Sequence, residues 1–396
     1  MTNSQLHIDI EKRLGTFSLQ IELSVRPEIL VLFGPSGSGK TQTLQAIAGL
    51  MTPDSGTIAL NDTLFFQRRP ALPLINVPAR KRCIGYVFQQ YALFPHLTVL
   101  ENIAYPMAGQ RDAHQRALTL LERIRLPHLA HRMPHQLSGG QQQRVAIARA
   151  LATNPRVLLF DESFSALDRV IRDQLHADIR TLQAEEQLIV LYVTHNLDDA
   201  FAIGHRLAII HNGHVEQVAT LDDVFVHPAN RRVLDILGIP NIIHTRVIES
   251  STARLLLDWD GLMLESMPLD CPPGSEVTAC IRPEDIRVLY PDRPVSHVVQ
   301  QNYLDGTIVE RRPGRHMHRL RVALSDRHVV EIDHPTRTYT NLPLPPGAAV
   351  KLALRKESII VIPSRHDRQG HTSHQHYDPK PHSNPTHHHV HHEHNA

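Results

Sequence analysis

Residues 34 to 41 read Gly34-Pro35-Ser36-Gly37-Ser38-Gly39-Lys40-Thr41, and their flanks restrict what this run can be. Before it, Glu28-Ile29-Leu30-Val31-Leu32-Phe33 is an apolar run with the character of a buried strand. After it, Thr41-Gln42-Thr43-Leu44-Gln45-Ala46-Ile47-Ala48 has helical composition and spacing. A Gly/Ser surface turn that merely ends in Lys-Thr has no such context. Three glycines let the backbone curl so that successive N–H groups point inward at phosphate oxygens, and the helix N-terminus adds partial positive charge. Lys40 then reaches the β- and γ-phosphates, and Thr41 offers its hydroxyl to Mg²⁺. The run Gly34 to Thr41 is therefore the expected ATP cradle.

At 396 residues the chain has room for two or three domains, each with a core of its own. A formal net charge of +1 and scattered lysines leave no basic footprint for nucleic acid. Cys83, Cys271 and Cys280 are too few and too dispersed for a disulfide framework or a zinc ribbon, which fits a reducing compartment. The N-terminal residues lack a basic and apolar leader, and no run approaches the length of a bilayer span. Any membrane role is expected to run through a partner.

Residues 5 to 33 alternate apolar and polar as in antiparallel strands. Between Thr52 and Arg82 turn residues and the Pro-rich run Arg68-Arg69-Pro70-Ala71-Leu72-Pro73-Leu74-Ile75 read as a surface excursion. Ile84-Gly85-Tyr86-Val87-Phe88 is a short strand ending at Gln89, and residues 99 to 152 are mostly helical in pattern. Val157 to Phe160 and Leu188 to Val193 are apolar, β-rich runs alternating with helical stretches, as in a parallel sheet covered on both faces.

The first of these runs ends in Asp161-Glu162, at the strand end where open α/β sheets take their ligands. Asp161 suits Mg²⁺, a hard cation that prefers oxygen. Glu162 suits polarising the water that attacks the γ-phosphate. His195 follows the run Leu191-Tyr192-Val193-Thr194 and is either a γ-phosphate sensor or a packing histidine, one of 29 in the chain.

Gly34 to Thr41, Gln89, Leu137-Ser138-Gly139-Gly140-Gln141, Asp161-Glu162, Ser165-Ala166-Leu167-Asp168 and His195 resemble, in that order, the Walker A, Q-loop, signature, Walker B, D-loop and switch-histidine motifs of ABC transporter ATPases. The resemblance implies an α/β P-loop NTPase (RecA-like) core over residues 1–235, with an inserted helical subdomain over residues 90–152. It implies ATP and Mg²⁺ as ligands, with Thr41, Gln89 and Asp161 around the metal and Glu162, Gln89 and His195 serving hydrolysis. In that family two copies face head to tail, each ATP lying between one copy's phosphate loop and the other's signature. Ser138 and the amides of Gly139 and Gly140, ahead of Gln141-Gln142-Gln143-Arg144-Val145-Ala146, then form a second anion site. Two positions depart from the family pattern. Ser163 stands where Pro is usual after the acidic pair, and for the usual adenine-stacking aromatic residue Phe17 competes with Leu14 and with a role in the core.

Phe88-Gln89-Gln90-Tyr91-Ala92-Leu93-Phe94-Pro95-His96-Leu97-Thr98-Val99 is similar to the Q-loop region of binding-protein-dependent importers. The implied partners are a second copy of the chain, integral-membrane permease subunits that dock on Tyr91, Leu93 and Phe94, and indirectly an extracytoplasmic solute-binding protein. The implied location is the cytoplasmic face of the cell membrane. A soluble ABC-type ATPase acting on nucleic acid or ribosomes is the competing reading, disfavoured by the missing basic patch.

Residues 242–363 consist of short alternating segments divided by Pro/Gly turns, which predicts a small β-barrel. Within them Ile281-Arg282-Pro283-Glu284-Asp285 resembles the OB/TOBE-like regulatory domain of importer ATPases for oxyanions, iron, polyamines and sugars. Leu256 to Leu262 and Lys356-Glu357-Ser358 tilt that resemblance toward molybdate, with sulfate, ferric iron or another metal ion as alternative cargo. Lys356 and Ser358 are either oxyanion contacts or ordinary surface polar residues. Residues 364–396 hold 11 histidines and no apolar periodicity, so they are expected to be disordered, with loose metal chelation and functionless drift both open.

Overall fold

The computed structural model describes residues 4–162, 164, 167–289, 302–314, 316–336 and 344–363. The histidine-rich tail lies outside them. The first two strands, β1 (Leu6–Leu14) and β2 (Phe17–Val25), pair antiparallel from Leu6↔Val25 to Leu14↔Phe17. Their alternation buries Leu6, Ile8, Ile10, Leu19, Ile21 and Leu23 on one face.

β3 (Ile29–Phe33) is buried at every position and passes into α1 (Lys40–Ala48). The Pro-rich run expected to be a surface excursion is exposed from Arg69 to Leu74, but the residues around it extend the sheet through β4 (Ser55–Leu60), β5 (Thr63–Arg68) and β6 (Ile75–Asn76), strands the sequence did not announce. The physical reason is that β4 buries only Gly56 and Ile58, too thin a pattern to stand out. Pairing with β1, from Leu6↔Leu60 to Glu11↔Ser55, holds it as a strand.

β7 (Ile84–Val87) leads to three helices, α2 (Val99–Ala104), α3 (Ala113–Arg123) and α4 (Gly139–Leu151). Thr98 and Glu101 close a reciprocal cap at the start of α2. These helices enclose a core of their own, including Val99, Ile103, Ala117, Leu121, Val145 and Ala148. α4 also sends Ala146, Ile147 and Ala150 into the neighbouring core, so one helix is shared by both.

The chain continues through β8 (Val157–Asp161), α5 (Arg169–Glu186), β9 (Ile189–Thr194), α6 (Leu197–Ile203), β10 (Arg206–His211), β11 (His214–Thr220), α7 (Leu221–Val226) and α8 (Arg231–Leu237). Among the described residues the sheet has eleven strands in the order β6-β5-β4-β1-β2-β11-β10-β3-β9-β8-β7. β10, β3, β9, β8 and β7 are mutually parallel along that order. α1 packs with one face of the sheet, while α5 and α6 contribute to the core on the other. That double cover explains why β3, β8 and β9 are unbroken apolar runs.

Among the described residues, the C-terminal part takes the form of two five-stranded antiparallel sheets over one core. The first contains β12 (Asn241–Ser250), β13 (Leu255–Trp259), β14 (Leu262–Ser266), β15 (Glu276–Ile281) and β21 (Ile359–Pro363). The second contains β16 (Arg287–Leu289), β17 (Tyr303–Arg312), β18 (Met317–Ala323), β19 (Val329–Pro335) and β20 (Ala349–Ala353). Cys280 of β15 and Ile362 of β21 join the same core cluster as Leu237 and Ile239, which seats this part on the end of α8. No helix among the described residues is long and apolar enough to cross a membrane.

Candidate functional site

Parallel pairing of β3, β9, β8 and β7 brings their C-terminal ends to one edge of the sheet. Phe33 pairs with Thr194, Val193 with Asp161 and Phe160 with Val87. Gly34, His195, Glu162 and Phe88-Gln89, each just beyond a strand end, therefore emerge side by side. This is the edge where doubly covered sheets bind ligands.

Gly34 has φ 154, and a Cβ there would lie 2.0 Å from the Ile210 carbonyl oxygen, so only glycine lets the loop start this close to β10. Lys40 is buried and its Nζ donates to the carbonyls of Gly34 and Pro35, each at 2.8 Å. Burial pulls the pKa of that amine down, while the charges of Glu162 and Asp161 act against the shift. Pro35, Ser36 and Gly37 are exposed, whereas Ser38 and Gly39 are buried beneath them.

Thr41, in the first turn of α1, donates from Oγ1 to Asp161 Oδ1 at 2.8 Å, and Tyr86 donates from its hydroxyl to Asp161 Oδ2 at 2.9 Å. Burial, reinforced by the Asp161 charge, raises the pKa of the Tyr86 phenol and keeps it a donor. A buried carboxylate beside a hydroxyl is an all-oxygen donor pair suited to Mg²⁺, and the loop amides leading into α1 suit a phosphate. The residues present thus fit Mg²⁺ and a nucleotide phosphate together.

Glu162 stands at φ 45, a left-handed conformation that a residue with a side chain adopts only at a cost of about 1–3 kcal/mol. Its backbone N–H donates to the Val193 carbonyl at 3.2 Å, and its Oε1 lies 3.4 Å from His195 Nδ1. Geometry thus brings together the acid and the histidine that the sequence could only propose separately. Gln89 is exposed one residue beyond Phe88. Ser163, Ser165 and Ala166 lie outside the described residues.

The second anion segment sits elsewhere, at the tip of α4. Ser138 caps that helix, its Oγ accepting from Gln141 N at 3.4 Å while Gln141 Oε1 accepts from Ser138 N at 2.9 Å. Ser138 and Gly139 are exposed; Leu137 and Gly140 are buried. A Cβ on Gly140 would come within 2.7 Å of Ile171 Cγ2, so its hydrogen sets how closely α4 approaches α5. Asp168 caps α5 by accepting from Ile171 N at 3.0 Å, and Leu167 is buried.

Several expected side chains occupy other settings. Tyr91 and Leu93 pack against the core, and Phe94 lies 4.4 Å, centroid to centroid, from Tyr105. Phe88 and Tyr105, 38% and 54% exposed, are the large apolar groups this region turns outward. Phe17 packs against the core and reaches the space beside Gly39, while Leu14 is exposed. Lys356 and Ser358 are half-buried in a short 3-10 turn before β21, on either side of exposed Glu357. Tyr86 and Arg149 escaped the sequence reading. Arg149 donates to the carbonyls of Tyr91 and Ala92 at 2.8 and 2.7 Å, and only the folded loop reveals that role.

Residues 18–165 match the family model for ABC transporters, and residues 279–362 match that for the TOBE domain. A spermidine/putrescine import ATP-binding protein, PotA, of Nitrosomonas europaea is 39% identical over 289 residues, covering 71% of this chain and 78% of that protein. The chain belongs to the ABC transporter family. A sulfate/thiosulfate import ATP-binding protein, CysA, of the same organism is 39% identical over 296 residues, covering 71% of this chain and 76% of that one. Among solved structures, a dimeric ATP-binding cassette in a post-hydrolysis state with ADP and Pi is 32% identical, with a TM-score of 0.46, covering 55% of this chain and 98% of that one. This ABC ATPase therefore carries a TOBE-type β domain behind its P-loop core.

Proposed function

We propose that this ABC ATPase drives an importer by closing on ATP as a head-to-tail dimer and opening after hydrolysis. The observation that carries the reading is the 2.8 Å bond between Thr41 and Asp161, which joins the phosphate loop of β3–α1 to the acidic end of β8. In this reading Gly34 to Thr41 grip the triphosphate, with Lys40 exchanging its loop carbonyls for phosphate oxygens. Mg²⁺, held by Thr41 and Asp161 with Gln89 nearby, would neutralise charge on the phosphates. Glu162 accepts a proton from the attacking water, and His195 orients beside the γ-phosphate.

Ser138, Gly139 and Gly140 complete the pocket of the opposite copy in this reading, with Ser138 and Gly139 exposed at the tip of α4, an element separate from the phosphate loop of β3–α1. Leu137 and Gln141 shape that helix end, and buried Leu167 with the α5 cap Asp168 faces the partner in this reading; Ser165 and Ala166 belong to the same D-loop motif by sequence. Binding at the γ-phosphate is thereby converted into dimer closure. Exposed Phe88 and Tyr105 offer the apolar contact to a permease subunit; in this reading the complex works at the cytoplasmic face of the membrane and is supplied by an extracytoplasmic binding protein.

For cargo we propose a small charged solute. Relatives named for spermidine/putrescine and for sulfate/thiosulfate support that class. The narrower molybdate reading rests on Leu256 to Leu262, Lys356 and Ser358 alone, and those relatives favour polyamine or sulfate over it. Uptake of labelled spermidine, sulfate and molybdate in a strain lacking this chain tests the proposal. The expected result is loss of one of these, restored by the wild-type chain and not by Glu162→Gln. Unimpaired uptake of all three would contradict the cargo class, and rescue by Glu162→Gln would contradict the role of hydrolysis.

A further inference from the structure

The two loops that flank the acidic strand end are tied together by a single guanidinium. Arg172, in the first turn of α5, donates from one terminal nitrogen to the Leu167 carbonyl at 2.9 Å and from the other to Asp199 Oδ1 at 3.3 Å. Leu167 immediately precedes the α5 cap Asp168. Asp199, on α6, is buried, and its other oxygen accepts from Thr194 Oγ1 at 3.4 Å. Thr194 Oγ1 in turn accepts from Asn196 N at 3.0 Å. Thr194 and Asn196 are the two neighbours of His195, so this chain of bonds grips both sides of the histidine that faces Glu162.

A cavity of about 70 Å³ adjoins the same groups, lined among others by Glu162, Arg172, Tyr192, His195 and Asp199. That space is polar and large enough for ordered water. The Nε of Arg172 is buried without a hydrogen-bond partner among the described residues, so a water there has a donor waiting. An Arg–Asp pair serving only to brace two helices would need neither the main-chain contact at Leu167 nor the continuation through Thr194.

We propose that Arg172 is a positioning residue for hydrolysis, fixing the Leu167 turn and the His195 strand end relative to each other through its forked contacts to the Leu167 carbonyl and Asp199. The proposal rests on the reading of Glu162 and His195 as the hydrolytic pair. Arginine is required for its planar fork, since a lysine ammonium can pair with Asp199 but cannot hold that geometry toward both acceptors. Displacing reacting groups by about 1 Å can lower turnover by about a hundredfold.

Steady-state ATP hydrolysis of the full chain tests this with Arg172→Lys, Thr194→Val and Lys40→Ala. Thr194→Val keeps the β-branched shape and removes only the hydroxyl link. Arg172→Lys and Thr194→Val are expected to lower kcat by about tenfold to a hundredfold, with KM for ATP and the melting temperature close to wild type. Wild-type kcat in either variant, or a fall in kcat that merely tracks a fall in melting temperature, overturns the positioning role. Absence of hydrolysis by the wild type, or full activity of Lys40→Ala, instead defeats the ATPase reading on which it stands.

Discussion

His176 shows at the scale of one residue how the floor of the site is built. It is 2% exposed on α5, its Nε2 lies 3.3 Å from the Tyr192 hydroxyl, and its ring meets Phe164 and Tyr192 at 5.5 and 5.9 Å between centroids. Burial lowers its pKa below the ordinary histidine value, only partly offset by Asp199 and Asp173. Below pH about 6.5 the unfolded chain takes up a proton that the folded chain resists, so stability must fall as pH drops through that range. Urea midpoints measured from pH 7.5 to 5 should decline for the wild type and decline less for His176→Phe; equal slopes would remove His176 from this account.

The residues with fixed motif chemistry, Lys40, Thr41, Asp161 and Glu162, were legible in the sequence because spacing and strand context announce them. Tyr86 and Arg172 were not, since their roles depend on Asp161 and Asp199, 75 and 27 positions away, which only folding brings within reach. Glu162 illustrates the mixed case. Its place beyond the acidic strand end was readable, whereas its left-handed backbone, with the N–H donating to the Val193 carbonyl on the adjacent strand, shows only in the folded chain.

Among elements, the segment after β7 holds the two consecutive non-glycine residues with positive φ among the described residues, and it has a named support. Tyr91 and Ala92 both have positive φ, 59° and 48°. Arg149 from α4 donates to both of their carbonyls, and its guanidinium lies 5.5 Å from the Phe94 ring centroid. Buried Asn102 adds bonds to Phe94 on both its N–H and its carbonyl. Arg149→Met should therefore destabilise this segment by about 1.5–3 kcal/mol, the range for hydrogen bonds to a charged group. Hydrogen exchange should quicken across residues 88–96 while the strands stay protected. Uniform acceleration over the whole chain, or none, would contradict a local support.

Legibility at this scale followed burial. β3, β8 and β9, covered on both faces, were visible as unbroken apolar runs. β4 and β5 were invisible because strand pairing, not their own alternation, maintains them.

Over the whole molecule, α4 links the events. Its N-terminus carries Ser138 and Gly139 outward, its body is shared by the helical and central cores, and its C-terminal Arg149 holds the segment that leads from Gln89. A change at the exposed helix tip is thus connected through one rigid element to the expected permease contact. The first of the C-terminal sheets meets the same central core through Cys280 and Ile362, so the TOBE-type part is packed against the ATPase rather than only tethered to it. The proposed pairing of two copies was legible only through the resemblance of the ordered motifs, since the chain carries the phosphate loop and the Ser138 segment on separate elements.

The most direct test of that composite pocket is the sedimentation of Glu162→Gln with and without Mg·ATP, alone and combined with Ser138→Arg. The account predicts that Glu162→Gln doubles in mass only when Mg·ATP is present, and that adding Ser138→Arg keeps it a monomer. A monomer in saturating Mg·ATP, or dimerisation untouched by Ser138→Arg, would contradict it.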